Sequence, residues 1–184
     1  MSKFLRVNMT TGEVKFEEVP EKYMALGGRA LTSLLVLDEV PPTCDPLGPY
    51  NKLVIAPGLL SGTTAPSSGR LSVGGKSPLT GGIKETNAGG LASQKLANLG
   101  IKAVILEGKP AGSEWYLLKV TPGGAELLPA NDLAGKGTYE VTAICRERLP
   151  LILPAKCSCL PRGWPTMIAR ATAAVMPAVV AWGR

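Results

Sequence analysis

The chain has 184 residues, 45% apolar and 18% charged, a balance that excludes a disordered or low-complexity protein. Its net charge of +6 is unevenly placed: four of the 20 Lys/Arg and none of the 14 Asp/Glu follow Ala155, leaving +2 on residues 1–155. With no basic cluster and only 5% aromatic residues, that balance argues against a nucleic-acid partner.

The opening residues, MSKFLRVNMTTGEV, lack the apolar segment of a signal peptide. No run reaches the roughly 18 apolar residues of a membrane span. A cytoplasmic protein with no membrane partner is therefore expected. Phe4–Val19 alternates on both sides of Thr10-Thr11-Gly12 and predicts a β-hairpin. Residues 21–40 have a helical pattern with the apolar run Leu31, Leu34, Leu35 and Leu37. Gly27-Gly28 interrupts it, so the firm helix starts near Arg29 and stops at Pro41-Pro42. Leu53–Ala56 and Ala103–Leu106 are short apolar runs of buried-strand type. A second hairpin is predicted from Trp115–Val120 and Ala125–Leu128, which flank Pro122-Gly123-Gly124. A helix follows at Gly137–Leu149. Strand pairs and helices mix without regular β-α-β alternation, so the expected class is α+β, sheet-rich with β-hairpins and a few packed helices.

Between these elements lies SGRLSVGGKSPLTGGIKETNAGG, Ser68–Gly90. Its glycines and Pro78 predict a loop of packed turns, with a helix behind it at Leu91–Leu99. Leu91, Leu96 and Leu99 share one face of that helix, Asn87 reads as its cap and Gly100 as its C′ residue. A helix N-terminus offers free N–H groups to an anion. Gly75-Lys76-Ser77 looks like the end of a nucleotide P-loop, but the spacing from Gly69 is one residue too long and Pro78 stands where the helix would run. No dinucleotide fingerprint is present either. Arg70 brings planar, bidentate donors to the stretch, suited to phosphate or to a carbonyl-rich ring. Lys76 reads as a turn contact. Of Cys44, Cys145, Cys157 and Cys159, the pair Cys157-Ser-Cys159 could be half of a metal site, but there is no second pair and no histidine, so a zinc or iron–sulfur site on these thiols is not expected.

Ala65-Pro66-Ser67-Ser68-Gly69-Arg70, then Lys76–Gly81 (KSPLTG) and Asn87-Ala88-Gly89-Gly90, resemble the N-terminal domain of the tungsten-containing aldehyde ferredoxin oxidoreductases. So do LRVNMTTGEV at 5–14, LGGRAL at 26–31, DPLGPYNKLVIAPGLLSGT at 45–63 and AVILEGKP at 103–110. The resemblance runs over residues 3–155. It implies a domain on which a tungsten bis-pterin cofactor (tungstopterin) sits. Arg70, Asn87, Ala88 and Gly89 match positions that contact the pterins and their phosphates. The main-chain carbonyl of Asn87 is implied to help hold a magnesium ion bridging the phosphates. Gly28-Arg29 lies in another matched motif, where packing and ligand contact remain equally open. The implied reaction oxidises an aldehyde to a carboxylate and passes electrons through a 4Fe-4S cluster, carried by later domains, to ferredoxin. The same resemblance leaves a homodimer open.

Residues 1–155 are thus expected to form a truncated cofactor-binding domain, and residues 156–184 a tail that does not match the family. In the tail, joining the third base of each codon to the next two forces Asp from Met167-Ile168, Ala from Met176-Pro177 and Gly from Trp182-Gly183. The free positions between the last two permit A-G-R-G-G-V-G, the glycine-rich loop that the family carries next. The tail is accordingly expected to be a frameshifted reading, and the chain alone inactive, with no catalytic residue of its own. Two alternatives stand beside this: the tungsten subunit of a ring-reducing aryl-thioester reductase, and a stand-alone phosphate- or nucleotide-binding module.

Overall fold

Alternating residues around Thr10-Thr11-Gly12 build the first hairpin, strands β1 (Lys3–Asn8) and β2 (Val14–Glu18). The turn closes because Asn8 Oδ1 accepts the backbone N–H groups of Thr10 and Thr11, while Gly12 takes a φ of 74°. This computed structural model describes residues 2–110, 112, 114–148 and 178–182. A single helical turn, α1 (Glu21–Met24), precedes α2 (Gly28–Glu39), so the pattern breaks at its glycines as the sequence predicts. Then come β3 (Lys52–Pro57), β4 (Leu71–Lys76), β5 (Ile83–Ala88), α3 (Ala92–Asn98) and β6 (Ile101–Glu107). A second hairpin, β7 (Tyr116–Thr121) and β8 (Gly124–Pro129), leads through a 3-10 turn to α4 (Thr138–Arg148). Of the tail, only β9 (Ala178–Trp182) falls within the described residues.

Six strands form one mixed sheet in the order β2-β1-β6-β3-β4-β5. Only β1 and β6 run parallel in it. The other sheet, β8-β7-β9, pairs β9 parallel to β7. The architecture is α+β. Leu31, Leu35 and Val36 of α2 pack on one face of the large sheet with Phe4, Val54 and Ile105. On the other face Leu96 of α3 and Leu118 and Val120 of β7 meet Leu5, Ile55, Leu71 and Val104. With both faces covered, β3 and β6 have no polar side to show, which is why they read as unbroken apolar runs. Leu37, grouped with the apolar run of α2, is exposed.

The glycine-rich stretch is not a loop. Residues 71–88 form the β4–β5 hairpin, closed by a turn in which Ser77 Oγ accepts the N–H groups of Leu79 and Thr80 and Gly81 adopts a φ of 70°. Gly74 sits inside the strand because α2 lies directly on it: a Cβ there would stand 2.9 Å from Thr32 Cβ. Nor does Asn87 cap the following helix. It belongs to β5, and its Oδ1 accepts the Ser72 hydroxyl at 2.9 Å. The cap position is held by Leu91, half-exposed and without a side-chain cap bond, so only Leu96 and Leu99 of the expected face pack inward.

One charged cluster ties the first hairpin to α2 and the sheet. Arg6 donates to Glu17 at 3.0 Å, to Glu39 at 2.9 Å and to Glu107 at 2.8 Å. Lys52 donates to Glu39 at 2.6 Å and forms an ion pair with Glu107 at 2.8 Å. Burial alone would push the Glu17 and Glu39 carboxyls up. The hydrogen bonds from Arg6, joined at Glu39 by Lys52, outweigh it and hold both below the usual range. A carboxyl held low in the folded state stabilises the fold at neutral pH, and that contribution is lost as pH falls below about 4. Glu39→Gln is expected to cost about 1–3 kcal/mol at pH 7. Thermal melts between pH 7 and pH 3 should show a shallower acid decline for the variant than for the parent chain.

Candidate functional site

Backbone from four elements converges where β3 ends, β4 begins and β5 ends, because glycines there leave no side chains between them. A Cβ at Gly27, just before α2, would stand 2.4 Å from the Leu59 nitrogen. One at Gly69 would stand 2.9 Å from the Gly90 carbonyl oxygen. Residues 58–70 form a loop closed at its base, where the Gly58 N–H donates to the Arg70 carbonyl at 2.9 Å. Ser61 Oγ donates to the Ser68 carbonyl at 2.7 Å and lies 3.4 Å from Ser93 Oγ on α3. Ser67 has a φ of 57°, the only positive value among the described non-glycine residues, so this loop is held in a strained conformation.

Strand register brings the sequence-predicted residues together. Leu71 opposes Ala88 and Ser72 opposes Asn87, so Arg70 and Gly89 lie across from each other at one end of the hairpin. Arg70 is exposed, and its guanidinium has no hydrogen bond or ion pair among the described residues. The Asn87 side chain is turned toward Ser72 and the start of α2, where a Cβ at Gly28 would come within 3.4 Å of Ser72 Oγ. Gly89 and Gly90 are exposed, and a Cβ at either would meet nothing within 4 Å. Ser68 Oγ, one residue from Gly69, is buried without a hydrogen-bond partner. The end of the hairpin therefore offers flat, bare backbone beside one unengaged arginine. That arrangement fits a planar ligand carrying a phosphate, because ring faces need close backbone approach and phosphate needs a planar donor.

Lys76 does not join these residues. It lies six residues along the strand, nearly buried, and its ammonium donates at 2.6 Å to the carbonyls of Pro42 and Cys44. Its role is to hold the connection between α2 and β3. Reading residues by type alone overlooks Glu85, which stands two residues before Asn87 on the same strand. Its side chain is 10% exposed, Oε2 accepts from Arg29 Nε at 2.9 Å, and Oε1 is buried without a partner. Period-two alternation would have placed it beside Asn87 had the stretch been read as a strand. Among the described residues no group of three or more Cys, Asp or Glu is placed to hold a metal ion, and no helix is long and apolar enough to cross a membrane.

Fold and site together define a sheet domain that presents a glycine-faced surface with an arginine at its rim. Residues 4–162 match the family described as aldehyde ferredoxin oxidoreductase, N-terminal domain, and the chain belongs to that family. The tungsten-containing aldehyde ferredoxin oxidoreductase of Pyrococcus furiosus is 41% identical over 149 residues, covering 80% of this chain and 24% of that one. The protein of the same description from Thermococcus kodakarensis is 42% identical over the same shares. The chain thus spans about a quarter of the length of these relatives. Among solved structures, the active site complex BamBC of benzoyl coenzyme A reductase, in complex with 1,5-dienoyl-CoA, superposes with a TM-score of 0.76 at 29% identity. It covers 81% of this chain and 23% of that one.

Two glycine variants separate packing from surface. Gly27→Ala drives a methyl into the Leu59 backbone and should cost about 1–3 kcal/mol or more in a denaturant titration. Gly89→Ala meets open space, and its stability should stay within about 0.5 kcal/mol of the parent chain.

Proposed function

We propose that this chain is the cofactor platform of a tungstopterin aldehyde:ferredoxin oxidoreductase. The observation that carries the reading is the Arg70 guanidinium, unengaged among the described residues, set across from the bare backbone of Gly89 and Gly90. Arg70 would take phosphate oxygens in bidentate fashion, and the backbone of Asn87, Ala88 and Gly89 would lie against the pterin, with the Asn87 carbonyl facing the magnesium ion. Bound there, the tungsten centre would supply two-electron oxidation of an aldehyde to a carboxylate, and an iron–sulfur cluster held elsewhere in the full-length enzyme would pass the electrons to ferredoxin. The chain's own contribution is binding and orientation.

Arg70→Gln removes the charge and more than half of the N–H donors while keeping a polar side chain. The variant is expected to bind a reduced pterin bearing a side-chain phosphate about 10- to 100-fold more weakly than the parent chain, by calorimetry, with an unchanged Tm. Stabilisation by ATP and not by the pterin phosphate would instead identify a stand-alone nucleotide-binding module. The 29% identity to the benzoyl coenzyme A reductase complex favours a second reading, a tungsten subunit that reduces an aromatic ring.

We also propose that the domain reading ends near Ala155 and that residues 156–184 are translated out of frame. The coding DNA from Pro150 to beyond Arg184 should spell A-G-R-G-G-V-G and spaced cysteines in the shifted frame. A clean frame with no such loop would overturn the proposal.

A further inference from the structure

Strand β5 is a free edge of the large sheet, and β4 ties only every second residue of it. In an antiparallel pair, opposed residues alternate between pairs that exchange backbone hydrogen bonds and pairs that do not. The Ser77 N–H donates to the carbonyl of Gly82, directly opposite, at 2.8 Å. Counting back by twos, Gly75 with Lys84, Val73 with Thr86 and Leu71 with Ala88 are the bonded pairs. The far side of β4 sets the same phase: the Gly58 N–H donates to the Arg70 carbonyl at 2.9 Å, so Ser72 and Gly74 turn their backbone toward β3. Asn87, opposite Ser72, therefore has no backbone bond to β4, and its N–H and C=O point off the sheet edge. A side chain ties it instead. Ser72, 2% exposed, donates its hydroxyl to Asn87 Oδ1 at 2.9 Å, the one hydrogen bond that either side chain makes among the described residues. Gly28 takes a φ of 52°, and the place its Cβ would fill lies 3.4 Å from Ser72 Oγ, so α2 begins directly over this hydroxyl. Ala88 is the last residue of β5, which leaves one terminal backbone pair and Ser72 to hold the strand beyond Thr86.

We infer that Ser72 is a positioning residue of the ligand face: its hydroxyl stands in for the backbone bonds that Asn87 lacks and holds the Asn87 main-chain carbonyl in one direction off the sheet edge. The inference rests on the platform reading given above and deepens it, because that reading turns the Asn87 carbonyl toward a magnesium ion. A carbonyl fixed before the cation arrives need not be ordered at the moment of binding, and that saving appears as affinity. Ser72 itself touches no ligand. It acts only through Asn87, from beneath the first residue of α2.

Calorimetry on the purified chain tests this, with a reduced pterin bearing a side-chain phosphate as the probe, in the presence and absence of magnesium. Ser72→Ala is expected to weaken binding about 5- to 10-fold with magnesium present, and less without it. Asn87→Ala keeps the main-chain carbonyl but removes the acceptor, so it should lose a similar factor, and the double variant no more than either single one. Ser77→Ala breaks the turn bonds at the other end of the same hairpin; it should lower the Tm and leave binding unchanged. In the ligand-free chain, NMR relaxation should show Asn87 and Ala88 less ordered in Ser72→Ala, with Lys84 unaffected. Unaltered binding by Ser72→Ala, equal weakening by Ser72→Ala and Ser77→Ala, or additive losses in the double variant overturns the inference while the platform reading stands. Absence of any pterin binding by the parent chain removes both.

Discussion

The structure depends on backbone touching backbone. Gly74 lets α2 settle onto β4, Gly27 lets the start of α2 meet the loop at Leu59, and Gly69 lets that loop meet Gly90. None of these approaches survives a methyl group without a shift, since each would place a Cβ within 3 Å of its neighbour. Helix, hairpin and loop are thereby held in one arrangement, and the arrangement leaves the backbone at Gly89 and Gly90 exposed and bare of side chains. A single constraint accounts for both the packing of the domain and the character of its ligand face.

Polar bonds then fix what the glycines allow. Ser61 holds the closed loop from inside through the Ser68 carbonyl, and Asn51 holds the α2–β3 connection by bonding the carbonyls of Pro46 and Lys76. Lys76 adds two carbonyl bonds to the same connection. These bonds keep charged and polar side chains turned inward, away from the face that Arg70 borders. Arg70, by contrast, has no hydrogen bond or ion pair among the described residues, which leaves its guanidinium available to a ligand.

Much of this was legible in the residues, and the exceptions share a cause. Both outer hairpins, the break before α2 and the buried runs at β3 and β6 follow from alternation and turn chemistry, which act locally. The β4–β5 hairpin did not read as strand because Gly74, Gly75 and Gly82 disfavour one in isolation. Gly74 is required there because Thr32 of α2 occupies the space that a Cβ would fill, a tertiary fact with no local signal. The same error hid Glu85 and turned Asn87 into a helix cap. Arg70 and the Asn87–Gly89 segment came through because residue type and motif carried them, whatever element they stood on.

The large sheet also has two kinds of neighbour. Strands β3, β4 and β5 follow one another closely along the chain, whereas β1 reaches β6 across a separation of 101 residues between Arg6 and Glu107. Loop-closure entropy makes the distant pairing the late one, and local meanders the early ones. The ligand face is thus built from the part of the sheet that can assemble first. Closure by the amino-terminal hairpin then acts as a lock, joined through the Arg6 cluster, on a surface already in place.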